Sequence, residues 1–467
     1  MINQKITSMT LSVFAAAVFF ISAASLATAQ TYNVRDFGAV ADGVTKDTAA
    51  IQQAIDTAAD AGGGTVFFPA GTYLTGSIFL KSHIDFHLGP GACLLASPDP
   101  ADYNPLDVCA QNYACVDESS FGAHLILCVE QKGVTLRGPG KIDGNSPAFL
   151  FDKEGNAAPH QSKVPWRPSQ MLFIVESEDI TVRDIELARS PYWSLFLYGC
   201  EKVSVRNATI STERTPVDLS VGMRTPNVPG LTYNGDGIDI DCCRFVTVSD
   251  CRISTADDCI TLRGSSGRLK NPKPCEYVTI TNCTLSTPCN AVRVGVGVGQ
   301  ICHATLSNLA ISQTRTAFSV VSNWSHTNPR GTDISDIQIH NVTVDCDDLF
   351  HIHYGFGDIS KIQGLTFSDI TGTVKTGGYL RGSVTRPIED LSLRHINLRA
   401  AQTGEFIKLV DVRGLLLDSV RIVPVEGEEP LYLTTGAVTG LFQEGTNIEV
   451  KTMSDEALDE FHRKNKN

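Results

Sequence analysis

One strand-sized pattern returns ten times in this chain, and a recurrence of that kind leaves few folds open. The pattern is apolar-x-apolar-x, most often followed by Asn or Asp. Its copies begin at Val134, Ile180, Val203, Val246, Val278, Ala304, Ile337, Leu365, Leu391 and Leu415. The fifth positions are Gly138, Asp184, Asn207, Asp250, Asn282, Asn308, Asn341, Asp369, His395 and Ser419. Successive copies start 46, 23, 43, 32, 26, 33, 28, 26 and 24 residues apart, so the base period is about two dozen, with insertions in some copies. Alternation inside each copy specifies a strand with one buried face, and helical spacing is absent. Repeats of this size stack as coils of a parallel β-helix. An antiparallel sandwich does not explain one motif returning in register. The expectation is an all-β chain: a single parallel β-helix of about ten or more coils over residues 30–467, with no linker dividing it.

A solenoid has strand edges at its ends that must be covered. Asp47 to Ala59 supplies a candidate N-terminal capping helix, with Ile51 and Ile55 on one face, Asp47 at the N-cap and Gly62-Gly63-Gly64 as the stop. Strand signals follow at Thr65–Phe68 and Ile84–Phe86. Ser454 to Phe461 is a candidate terminal helix. Ahead of the repeats, Lys5, the apolar run Leu11–Leu26 and Ala27-Thr28-Ala29 form a signal-peptide pattern with cleavage expected after Ala29. Export to the periplasm or medium is therefore expected. No later stretch approaches the ~20 apolar residues of a membrane span.

The formal net charge of −13 argues against a nucleic-acid partner. An acidic chain that takes an acidic polysaccharide needs a local basic strip. The 14 cysteines contain no paired C-x-x-C ligand sets, so no zinc site is expected. Cys109 and Cys115 flank a short loop and are a candidate disulfide. Cys200, Cys243 and Cys275 share one repeat position and Cys251 and Cys283 another, which fits stacked, buried thiols.

Each coil carries a second strand. Ile238, Ile260, Val292 and Phe318 form an inward column in that series. Just before them, Asp236, Asp258, Asn290 and Thr316 form a column at the strand start, with Asp257 beside Asp258. Three carboxylates are thus expected to cluster across two coils. Two carboxyls can supply the acid and the base of glycosidic cleavage, and crowding raises at least one pKa. A calcium site or a solvated acidic turn is the other reading of the same spacing. Arg263, Arg293, His351, His353, Tyr379, Arg381 and Lys408 face outward along the same sheet and compose the basic strip. Trp193, Trp324 and Tyr379 are candidate sugar platforms, although core packing also accounts for Trp193.

Asn234-Gly235-Asp236-Gly237-Ile238-Asp239 resembles the N-T-D-G-I-D motif of polygalacturonases, and Ala256-Asp257-Asp258-Cys259-Ile260 resembles their D-D-C-I motif one coil later. The segments from Tyr32 to Gly38 and from Gly62 to Gly71 are similar to the family's first coil. The resemblance covers most of the mature chain. It implies a right-handed helix, inverting hydrolysis of α-linked galacturonic acid, no cofactor and no metal. It implies Asp257 as general acid, with Asp236 and Asp258 activating water. Two positions depart from the family. Asn290 stands where G-H-G has His, and Ser319-Val320-Val321 stands where R-I-K has its cations. Asn290 and Arg293 then become candidate substrate contacts. A rhamnogalacturonan-specific hydrolase, a β-helix polysaccharide lyase and a non-catalytic glycan-binding β-helix remain as alternatives. A monomer is expected.

Overall fold

The computed structural model describes residues 30–115, 118–150, 164–212, 234–323, 330–355, 360–425 and 430–465. Strands from Thr31 to Thr452 join in one continuous parallel ladder that winds as a right-handed β-helix. Three strand stacks make its faces. The repeat motif forms the first, where Val134, Ile180, Val203, Val246 and Val278 sit directly above one another, and Ala304, Ile337, Leu365, Leu391 and Leu415 continue the column. The motif's fifth residue turns the chain. Asp184, Asn207, Asp250, Asn282, Asn308, Asn341 and Asp369 all hold φ between 49° and 58°, the left-handed region that Asn and Asp tolerate through local hydrogen bonds. Their side chains link coil to coil, Asn207 to Asp184 at 2.8 Å and Asn308 to Asn282 at 3.1 Å.

The inward residues make a dry core along the axis. Ile238, Ile260, Val292 and Phe318 stack in register and are at most 1% exposed. Further along, Phe318, Phe350 and Phe367 pack as an aromatic group with centroids 4.7–6.1 Å apart.

The N-terminal cap is a helix, Thr48–Asp60, that buries Ile51, Ala54, Ile55 and Ala58 against the strands of the first coil. Asp47 occupies its N-cap position, but its carboxylate accepts from the backbone N–H groups of Val40 and Ala41, at 2.6 and 3.0 Å, rather than from the helix. The terminal helix, Asp455–Lys464, is capped by Ser454, whose hydroxyl accepts from the Ala457 N–H at 3.3 Å.

All fourteen cysteines are thiols, so Cys109 and Cys115 are not bonded, which corrects the expected pairing. The repeat-position cysteines Cys200, Cys243, Cys275, Cys251 and Cys283 are buried at 1% exposure or less. No described helix is long and apolar enough to cross a membrane. The signal-peptide segment 1–29 lies outside the described residues, as do Trp324 and the stretch from Asp218 to Leu231, which lengthens the repeat before Asp250.

Candidate active site

The third stack, made of the second strands of the repeat, carries the site. Asp239, Thr261, Arg293, Ser319, His351, Tyr379 and Lys408 follow one another on its outer face. Asp236 and Asp258 sit just ahead of these strands. Gly237 makes room there, since a Cβ at that position would lie 2.4 Å from the Cys259 carbonyl.

The cluster combines carboxylates of different character. Asp258 is 2% exposed. It accepts from Asn290 Nδ2 at 2.6 Å, from the Asn290 N–H at 3.3 Å, and from Arg293 Nη1 at 3.1 Å. Burial alone would raise its pKa, but the Arg293 charge and the Asn290 hydrogen bond hold it below the usual carboxylate range. Asp257 is half-buried. Burial and the adjacent Asp258 charge push it up to about 7. Its backbone carbonyl is fixed by the hydroxyls of Thr255, at 2.7 Å, and Thr287. Asp236 is 5% exposed, and its Oδ1 has no hydrogen-bond partner among the described residues. Burial, then the charges of Asp239, Asp257 and Asp258, drive its pKa well above the ordinary value. Taken together, the cluster holds a proton near neutrality while Asp258 stays ionised.

Asp239 is a fourth carboxyl in the group, fully buried, and pushed up to about 8 by burial. Its outward strand position marked it as a neighbour of the cluster, yet it was not among the expected site residues. Arg315 was also missed. Its Nη2 donates to Cys289 Sγ at 3.1 Å and to Asn290 Oδ1 at 3.4 Å, so a cation reaches the cluster from the turn before the Thr316 strand. Only its position two coils beyond Asp258 could have signalled this.

The outward strip differs from the expected free cationic strip. Arg263 is 15% exposed and lies 3.6 Å from Asp239 and 3.4 Å from Asp241, with its guanidinium 4.5 Å over the Trp193 ring. Trp193 is 5% exposed and packs with Tyr192 and Phe196, so it serves packing and not as an open sugar platform. His351 contacts Thr316 Oγ1 at 3.3 Å and Asp348 at 2.9 Å, and its ring stacks on Tyr379 at 4.8 Å. Burial and the charge of Arg381 bring His353 down to about 3, so it is neutral, and its Nδ1 accepts from the Gly355 N–H at 3.0 Å. Arg381 and Lys408 belong to a different neighbourhood. Arg381 donates to Asn465 at 2.5 Å, and Lys408 meets Glu405 at 3.2 Å and lies 5.9 Å over Phe461. The terminal helix has taken both, about 14–19 Å along the axis from Arg293 at ~4.8 Å per coil.

Ligand atoms of Asp257, Asp258 and Cys289 lie within 4.8 Å of one another, the one grouping near the acids with metal-like spacing among the described residues. The donors do not suit a divalent ion. Asp258 is already occupied by Arg293 and Asn290, and Arg315 donates to Cys289. Two guanidinium charges would face the cation, and calcium takes 6–8 oxygen ligands.

A parallel β-helix that pairs a protonated carboxyl with an ionised one on its outer face has the makings of a carboxylate-dependent glycoside hydrolase. Residues 106–266 match the family model described as glycosyl hydrolases family 28, and residues 31–89 match one described as rhamnogalacturonase A/epimerase, pectate lyase-like. A probable polygalacturonase of Vitis vinifera is 29% identical over 241 residues, covering 50% of this chain and 44% of that protein. An exo-poly-alpha-D-galacturonosidase of Dickeya chrysanthemi is 28% identical over 276 residues, covering 53% of this chain and 44% of that protein. The matched segments thus span less than half the length of these relatives. The solved family 28 exopolygalacturonase of Yersinia enterocolitica superposes with a TM-score of 0.67 over 91% of this chain and 79% of that one, at 19% identity, a likeness of fold. Residues 106–266 are thus similar to the glycosyl hydrolases of family 28, and about half of the chain is similar to polygalacturonases.

Proposed function

We propose that the protein is an exported, inverting glycoside hydrolase that cleaves α-linked galacturonic acid bonds in pectic poly- or oligosaccharide. The observation that carries this reading is the contrast between Asp257, held near 7, and Asp258, held ionised by Arg293 and Asn290. Asp257 donates its proton to the glycosidic oxygen as the C1–O bond breaks. A water attacks C1 from the opposite face, and its proton passes to the Asp236–Asp258 pair, with Asp258 the ionised member. No cofactor enters these steps.

Asn290 stands where the family pattern has His, and Arg293 lies three residues further on. Together they supply the cationic and hydrogen-bonding support of Asp258 from within the chain. The matched relatives, whose names refer to galacturonan, support a uronate-containing substrate. The His351–Tyr379 stack, three to four coils beyond the Asp258 strand, is the proposed sugar contact on the outer face.

Reducing-sugar release from a panel of pectic oligosaccharides, with proton NMR of the first-formed anomer, tests the reading. Inverted product from the wild type and none from Asp257→Asn is the expected result. An ultraviolet-absorbing unsaturated uronate would make the protein a lyase instead. N-terminal sequencing of secreted protein beginning at Gln30 would establish export.

A further inference from the structure

A second set of metal-ligating side chains lies on the outer face of the first stack, apart from the acids. Near the start of each strand there, two consecutive residues stand between two buried ones. Ile301 and Ala304 belong to the axial core, and Cys302 and His303 lie between them. His303 holds φ at 52°, as Tyr277 does at 56° one coil before and Asp336 at 55° one coil after. That left-handed residue breaks the alternation of the strand, so both side chains reach the outer side. Glu276 is the register partner of Cys302 on the preceding coil. No C-x-x-C pair marks this set, because its thiol and carboxylate come from coils 26 residues apart.

The donors converge. Ligand atoms of Glu276, Cys302 and His303 lie within 4.8 Å of one another. Cys302 Sγ is 3.7 Å from Glu276 Oε2. Ligands held ~2.0–2.3 Å from a tetrahedral zinc ion lie about 3.3–3.8 Å from each other, so this thiol and carboxylate already have the spacing of one ion. The His303 side chain is half-exposed and has room to close on it. Its ring stacks on Tyr277 with centroids 5.5 Å apart, and Asp336 Oδ2 lies 3.7 Å from its Nδ1. A carboxylate on a ring nitrogen is the usual second partner of a metal-bound imidazole.

The charges also balance. Arg244 Nε lies 2.8 Å from Glu276 Oε1 and leaves Oε2 to the thiol. Against that one cation stand Glu276, Asp336 and the thiolate that a bound ion creates. The grouping at Asp257, Asp258 and Cys289 differs, because Arg293 and Arg315 already hold its donors. Thiolate, imidazole and one carboxylate suit zinc, whereas calcium and magnesium take oxygen sets.

We propose that Glu276, Cys302 and His303 bind one zinc ion, with Asp336 orienting the imidazole, and that the ion ties two neighbouring coils together. Water fills the fourth position. The thiol passes its proton to solvent as the ion binds. The tied coils are the pair whose other face brings Arg315 to Asn290 at 3.4 Å, so the tie braces the support of the acid cluster. The ion is structural and takes no part in the proposed hydrolysis, and its site stands whether or not that reading holds.

Chelator-treated protein titrated with Co²⁺, a spectroscopic substitute for zinc, should develop a thiolate-to-cobalt charge-transfer band that saturates at one ion per chain. Zn²⁺ should displace the cobalt and raise Tm as its concentration passes Kd. Cys302→Ser should abolish the band. Asp336→Asn should keep the band and weaken binding about tenfold or more. Glu276→Gln and His303→Ala change side chains that are not part of the core, and both should weaken binding further than Asp336→Asn does. Cys289→Ser should leave the band as it is. Absence of a band at one equivalent, or a band that survives Cys302→Ser and is lost with Cys289→Ser, overturns the site. A band with no rise in Tm refutes the tie between coils.

Discussion

Replacing Arg293 by Met removes the cation that keeps Asp258 ionised while preserving much of the side-chain bulk. The pair is 3.1 Å apart, with side-chain exposures of 13% and 2%. At an effective dielectric near 20, two charges ~4 Å apart attract by about 4 kcal/mol, and breaking a buried pair by deleting one partner costs about 3–5 kcal/mol. Asn290 still donates twice to Asp258, which places the expected loss at the lower end, about 3 kcal/mol. Because the folded pKa of Asp258 is depressed, its contribution is present above the unfolded value, ~3.9, and is lost as pH falls through the folded value. The gap between wild type and Arg293→Met should therefore be full near neutrality and close in acid, where Asp258 is protonated in both proteins. Urea unfolding across that range measures it. The ascending limb of the kcat/KM profile should also move to higher pH, because the carboxylate proposed to activate water now holds its proton longer. Arg293→Lys should recover part of both effects, since it restores the charge without the planar fork. Equal stability near neutrality, with an unmoved ascending limb, would refute the view that Arg293 sets the charge state of Asp258.

Asp257 sits near 7, so turnover should fall about tenfold per pH unit above that value as the acid loses its proton. Asp257→Asn should cost about 10²–10⁴ in kcat below that value and less above it, and a flat alkaline limb in the wild type would reassign the acid. Asp239 is raised to about 8. The stability associated with it is therefore full below ~3.9 and is lost as pH rises through about 8. Asp239→Asn should flatten that decline in thermal unfolding, and an unchanged slope would show that Asp239 does not titrate there. With every cysteine a thiol, alkylation in denaturant without reductant should label fourteen sites, and reductant should leave Tm unmoved. Phe318, buried in the axial aromatic group, should cost about 3–5 kcal/mol on truncation to Ala.

The fold was legible because a β-helix writes its period into the chain. One alternation sets the buried face, and one Asn or Asp at φ near 55° sets the turn, so ten copies identified the coils before any coordinate did. The register of Asp236, Asp258 and Asn290 followed from the same count. What the count could not reach was the pairing of charges. Register places Arg263 and Arg293 on one face as if they were equivalent, but Arg263 turns to Asp239 and Asp241 while Arg293 turns to Asp258. That choice is made by side-chain direction and by a covering indole, neither of which has a period. Arg381 and Lys408 are the sharper case. Their strand positions match the strip, but the terminal helix folds back and engages both, through Asn465, 84 residues beyond Arg381, and Phe461, 53 beyond Lys408.

The covered apolar face beside the acids was written in the sequence in a form that strand patterning disguises. Leu172–Val175 and Leu195–Tyr198 are apolar at every position, whereas Ile238–Asp241 alternates with Asp. A strand apolar on both faces must be covered on both, so the unbroken runs required an outer layer over these coils. That layer, in which Leu269, Val108 and Cys109 take part, ends at the coil where the pattern returns to alternation. That coil is the one that carries Asp236, so the edge of the covered face and the proposed acid cluster are set by the same step in the sequence.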